Sequence, residues 1–418
     1  MVDSISSAGN TSPVSRATRE ERARARALTL SGVLTVGISF GFARYGYGLF
    51  LPEMRAEFGL STTVIGVLGS ATYVGYLVAL LLVGTLASRV GPRLPVVVGG
   101  LSATIGMALV AAAENEIMLV AGLVLAGTSP GWIWAPYSDA VTLALPPRRR
   151  ETVLAAVPSG TAFGVAVAGP LAIVFHGAGW QRAWWIFAVV AFLATVHAAV
   201  TVPRGATPTA LNSERVGVRS LAGRLLPRHA APLYLTAVSY GLVGSVYWLF
   251  AVERITGEGP SGAAVAPLFW TLTGVAGCAA LGTGAAFARL GLPWAHRLIF
   301  GSLATATVLL AVVPGSLVAV VGSAVLYGPA FMAGSALLAV WSYQVFPARP
   351  TAGFSATVFF LGIGTIAGPA LAGVVADRTG LGATLALTAL LGLVTIAWAP
   401  RGNPAGDQSG GCRRSGPV

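Results

Sequence analysis

Arg44 lies in the run GFARYGYGLFLP (residues 41–52), and no other charged residue occurs between Arg26 and Glu53. A guanidinium placed near mid-bilayer costs about 2.5–3.5 kcal/mol on insertion scales, so something must compensate it. Its functional reading is a cation that contacts an anionic or polar group of a solute. Its structural reading is an arginine that snorkels outward to Glu53 or Glu57, or that binds free carbonyls of a neighbouring helix. Trp134, Tyr240, Tyr247 and Tyr327 fall in similar apolar runs. Their rings can stack on a solute and hydrogen-bond it, or simply pack against neighbours. Enzyme constellations are missing. His176, His197, His229 and His296 are scattered, with none at metal-ligand spacing. All 26 basic residues are Arg, so a phosphate-binding lysine loop is excluded, and ATP-driven transport by this chain alone with it. Asp139, Glu253 and Asp377 fall near predicted helix ends, so no buried-carboxylate proton relay stands out. The residues call for no cofactor and no metal.

The elements that must position these groups are membrane helices. Of 418 residues, 55% are hydrophobic and 10% charged, against about 25% charged in a soluble domain. Mean hydropathy is +0.77. Twelve apolar runs approach or exceed the roughly 20 residues that cross a bilayer as a helix. They cover 28–50, 63–87, 94–113, 117–138, 152–175, 182–201, 231–252, 265–288, 293–312, 316–341, 351–376 and 381–399. Period-two alternation is absent, which favours helices over barrel strands. The expected fold class is therefore an all-α membrane protein with twelve transmembrane helices. Only DRTG separates the last two runs, enough for a tight hairpin. In α-helical geometry Gly37, Gly41, Arg44 and Gly48 share a face, and a glycine-lined face packs on other helices. Arg44 is thus expected to point into the bundle. Trp184, Trp185 and Trp398 read as interfacial belt residues. Cys278 falls mid-span and Cys412 in the C-terminal tail, so a disulfide between them is not expected.

The net charge of +12 is spread over alternate loops rather than one face, which argues against a nucleic-acid partner. Of the 26 arginines, 21 fall on one set of segments. Arg55, Arg182, Arg254 and Arg378 fall on the other, and Arg44 in the membrane. By the positive-inside rule both termini are cytoplasmic, in a plasma (inner) membrane. The organisation expected is an Arg-rich tail (1–27), a six-helix bundle (28–201), a linker (202–230), a second six-helix bundle (231–400) and a tail (401–418). The halves repeat. GTLASRVG (84–91) matches GAAFARLG (284–291), PPRRR (146–150) falls on FPARP (346–350), and AGPLA (168–172) matches AGPAL (367–371). Parallel repeats of this kind are one transporter architecture.

Twelve spans in a six-plus-six repeat, a longer middle loop and the G-x-x-x-x-R-x-G loop after spans two and eight resemble the major facilitator superfamily. The resemblance covers nearly the whole chain, and GFARYGYGLFLPEM is similar to the first span of a poorly characterised bacterial branch. It implies a monomeric secondary transporter in a lipid bilayer, moving a small organic solute by rocking two halves around a central site. Proton-coupled efflux is the first expectation, with protons as coupling ion. An anion or carboxylate uptake or exchange carrier is the alternative. A membrane-embedded lipid-modifying enzyme would need clustered His, Asp or Glu, which the sequence does not provide. The family's usual loop aspartate is Ser88 here, beside Arg89 and Arg93. The resemblance pairs Asp139 with Arg89 as an inner gate; otherwise Asp139 is an exposed carboxylate balanced by Arg148, Arg149 and Arg150. Gly160, Gly164, Gly169 and Pro170 resemble a family element whose fuller form accompanies antiporters. Close helix packing also accounts for them, and for Gly368 and Pro369 in span eleven.

Overall fold

The computed structural model describes residues 13–175, 179–205, 227–259, 262, 264–347 and 350–400. His176, Arg349, Cys412 and most of the linker and tails lie outside the described residues. Every element is helical, and the described residues contain no strand.

Helix α1 (Pro13–Val36) starts well before the apolar run, with proline at its first position, where a missing N–H costs nothing. A nine-residue π-helix, Gly37–Tyr45, follows. Then come α2 (Gly46–Leu49), α3 (Leu51–Phe58), α4 (Thr62–Val90), α5 (Arg93–Ala111) and α6 (Glu116–Ala144). Gly59 ends α3 at φ 64°, and the Asn115 side chain caps α6 by accepting from Met118 N at 2.9 Å. The predicted fifth span is divided into α7 (Pro147–Ala156) and α8 (Ser159–Val174), and α9 covers Trp180–Thr201. Further on are α10 (Ala231–Glu258), α11 (Val265–Gly277), α12 (Thr283–Leu290), α13 (Leu292–Val312), α14 (Leu317–Val345) and α15 (Pro350–Thr395).

Among the described residues, eleven helical stretches are long and apolar enough to cross a membrane. The last of them breaks at Gly380, at φ 84° and ψ 162°, which only glycine adopts easily. The kink falls in DRTG and divides this stretch into two helices, so the apolar segments number twelve. The repeated loops also agree in backbone: Gly91 and Gly291 both take φ 72°.

The chain forms two compact units. The first contains residues 1–60, 71–214 and 266–274. Its aromatic core stacks Phe42 on Phe187 (4.4 Å between centroids), with Phe50 and Trp184 edge-on. Trp184 is fully buried there, so it is a core residue and not a belt residue, whereas Trp185 is exposed. Arg93 donates to the carbonyls of Val202 (2.6 Å) and Val200 (3.3 Å), closing the C-terminal end of α9. In the first half of α1, Glu21 accepts from Arg148 (2.6 Å) and Arg149 (3.0 Å).

The second unit contains residues 61–70, 215–265 and 275–418. Arg254 donates to the carbonyls of Leu310 (3.1 Å) and Ala311 (3.0 Å) at the end of α13. The start of α4 packs on α15, where Ser70 donates to Ile366 O at 2.6 Å. Asp377 accepts from both the backbone N–H (2.9 Å) and the hydroxyl (2.5 Å) of Thr63. A carboxylate at a helix N-terminus satisfies an orphan donor and complements the dipole. Asp377→Ala is therefore expected to cost about 0.5–2 kcal/mol, the value of a lost cap. A lowered thermal-unfolding midpoint of the purified protein checks it; an unchanged midpoint would mean that solvent replaces the contact.

Candidate functional site: a caged arginine

Local sequence builds the site in the first unit. Glycines at 37 and 41 let the π-helix approach α8 backbone to backbone: a Cβ on Gly41 would come 2.6 Å from Gly164 Cα. The same closeness holds at Gly160, where an added Cβ would meet Gly37 N at 3.0 Å. A π-helix bonds i to i+5 and winds more widely than an α-helix. This corrects the expected shared face. Gly37 and Gly41 meet α8, while the Arg44 side chain meets α4. Long π segments are rare and concentrate at functional sites.

Arg44 is 6% exposed. Its Cζ lies 4.3 Å from the Tyr73 ring and 4.1 Å from Tyr76, both on α4, and 5.7 Å from Phe40 and 6.0 Å from Tyr45. Tyr73 and Tyr45 also bring phenol oxygens to the guanidinium. No carboxylate is paired with Arg44 among the described residues, and Glu57 is taken by Trp180 Nε1 (2.6 Å) and Gln181 (3.0 Å). The snorkelling reading therefore fails for Glu57, and no ion pair joins Arg44 to Glu53. Two donors, Arg44 Nε and Nη1, are buried without a hydrogen-bond partner.

The energies decide what this arrangement is suited to. Cation–π contacts return about 2 kcal/mol each when desolvated, comparable to the insertion cost of the charge. Each unmade buried hydrogen bond still costs about 1–3 kcal/mol. The rings make the cation tolerable without satisfying the N–H groups on Nε and Nη1. An oxyanion would do so, through charge-assisted hydrogen bonds.

The rings around the cage differ in burial. Tyr45, Tyr73 and Tyr76 are buried, but Phe40 and Trp134 are only half-buried. These two meet edge-on with centroids 5.7 Å apart, their inner sides packed on the core around Val36, Ile133 and Tyr137. Gly131 allows α6 to touch α4, since an added Cβ would sit 2.8 Å from Ala79 Cβ, and this sets Trp134, one turn on, beside the cage.

The other predicted residues make contacts of their own. Tyr247 and Tyr327 stack at 3.5 Å in the core of the second unit, with hydroxyls bound to Ser323 Oγ (2.6 Å) and Gly244 O (3.2 Å). Tyr240 donates to Phe331 O and stacks on that ring. Arg89 is exposed and Asp139 half-buried, and no ion pair joins them. Arg93 is occupied at the end of α9. Gly169 sits against Thr271, and Gly368 against Ser245 and Leu242, each a close helix crossing. Pro170 lies exposed within α8, and Pro369 lies within α15 where its carbonyl faces Gly66. Among the described residues no three His, Cys, Asp or Glu side chains are placed to hold a metal ion. Sequence reading missed Phe40, Tyr45, Tyr73 and Tyr76. Their signal was the i, i+3 tyrosine pair in ATYVGY on the span after the arginine.

The family model described as "Uncharacterised MFS-type transporter YbfB" matches residues 34–399. A gentisate transporter of Corynebacterium glutamicum is 27% identical over 37% of this chain and 35% of its own length. Monocarboxylate transporter 11 of Mus musculus is 26% identical over 82% of this chain and 79% of its own. A hexuronate transporter of Bacillus subtilis is 27% identical over 31% and 30%. The chain thus spans about a third of the gentisate and hexuronate relatives. In fold, the nucleoside transporter NupG superimposes with TM-score 0.68 at 14% identity, covering 90% of this chain and 98% of its own. An inward-facing bacterial homologue of the lysosomal transporter Spinster gives 0.71 at 15%, covering 90% and 96%.

Proposed function

This chain belongs to the YbfB-type family of major facilitator transporters, and from that premise we propose that it carries a small organic carboxylate across the membrane, with Arg44 holding the carboxylate. One observation carries the reading: a buried guanidinium whose Nε and Nη1 have no partner, behind a half-exposed aromatic lip. The relatives support it, since gentisate, monocarboxylates and hexuronates share a carboxylate and otherwise little. This favours the uptake or exchange alternative over efflux. The glycine-proline element of α8, which suggested an antiporter, is accounted for by backbone contacts with the π-helix and with Thr271. The arginine asymmetry supports cytoplasmic termini in the inner membrane.

The test is counterflow in proteoliposomes loaded with single solutes, with and without an imposed proton gradient. Carboxylic acids should exchange and their neutral amides should not. A gradient effect would add protons as coupling ion, and its sign would give the direction. Equal exchange of acids and amides would refute the carboxylate reading.

A further inference from the structure

We propose that the carried anion is aromatic, its ring seated against Phe40 and Trp134 while its carboxylate meets Arg44. This deepens the carboxylate reading and rests on it. The guanidinium lies 5.7 Å from the Phe40 centroid, and Phe40 lies 5.7 Å from Trp134. A planar ring attached directly to a carboxylate bridges those distances. A short aliphatic acid would reach Arg44 and leave both ring surfaces in water.

The rest of the lip agrees. Tyr45, Tyr73 and Tyr76 are buried around the cation, whereas Phe40 and Trp134 are half-buried and so the rings with surface left to offer. One turn along α6 from Trp134, Ser138 is small and exposed on the same face. The nearest carboxylate along α6 is Asp139, half-buried and beyond Ser138. A polyhydroxylated sugar acid would need several donors and acceptors where the lip offers rings. Phe40 and Trp134 already meet edge-on, the arrangement aromatic quadrupoles prefer, and a third ring joins such a cluster on the same terms.

Calorimetric titration of the full chain in detergent tests this, with benzoate, cyclohexanecarboxylate, glucuronate and benzamide as probes. Benzoate should bind about tenfold more tightly than cyclohexanecarboxylate, the fold-change that one aromatic contact supplies. Trp134→Leu should erase that preference by weakening benzoate, with a thermal midpoint like that of the wild type showing that the variant is folded. Trp134→Phe should restore most of it. Equal binding of the two ring acids by the wild type, or tighter binding of glucuronate, would overturn the aromatic proposal and leave the carboxylate reading standing. Benzamide binding as well as benzoate, or no binding by any acid, would overturn both.

Discussion

Arg44→Met is expected to lower transport at least a hundredfold while the protein folds as well as before, or better. Methionine keeps an unbranched stem of similar reach and places sulfur among Phe40, Tyr73 and Tyr76, a favourable contact. It removes a buried charge and two unpartnered donors. Replacing buried charge by well-packed apolar atoms is often neutral or stabilising by about 1–4 kcal/mol. The thermal midpoint should therefore hold or rise, while counterflow of carboxylates disappears. Arg44→Lys keeps the charge but loses the planar donor fork, so it should retain only a fraction of the rate. Counterflow and thermal melts on the same preparations separate the outcomes. A variant that melts lower but transports normally per folded molecule would make Arg44 structural.

Gly164→Val should give the largest loss of folded protein. A Cβ there would press on the Gly37 carbonyl, with its carbon at 2.9 Å and Gly37 Cα at 3.1 Å. Both partners are backbone, so no rotamer change relieves the contact. Overpacking costs about 1–3 kcal/mol where side chains can give, and this crossing belongs at or beyond the upper end. The π-helix would be pushed off α8 and Arg44 moved with it. Gly301→Ala is the control: the same added carbon meets nothing within 4 Å in α13, and alanine gains about 1 kcal/mol of helix propensity. Detergent-extracted yield and monodispersity should collapse for Gly164→Val and hold for Gly301→Ala. Intact yield for both would show that the first span can shift without cost.

Hydropathy made the helices legible because crossing a bilayer imposes both length and composition on each segment. Even the break at DRTG was readable, since Gly380 supplies a positive φ that interrupts the helix. The rotation of Arg44 was not. A face read at 3.6 residues per turn assumes an α-helix, and tertiary contacts through Gly37 and Gly41 hold this segment in π geometry instead. The aromatic cage was half legible. Tyr73 and Tyr76 are spaced to share a face, but nothing local to them says that the arginine of the preceding span lies between their rings. Tyr240, Tyr247 and Tyr327 were legible as polar tips on apolar helices, but the partners of their hydroxyls on neighbouring helices were not. Trp184 has the composition of a belt residue, and its burial beside Phe50 and Phe187 depends on packing that hydropathy does not register.

Calorimetric titration of benzoate into the wild-type protein and into Arg44→Gln tests the central claim most directly, with benzamide as the neutral counterpart. The guanidinium account predicts saturable benzoate binding to the wild type, no benzamide binding, and loss of benzoate binding in a variant that melts normally. Unchanged benzoate affinity in Arg44→Gln would contradict it.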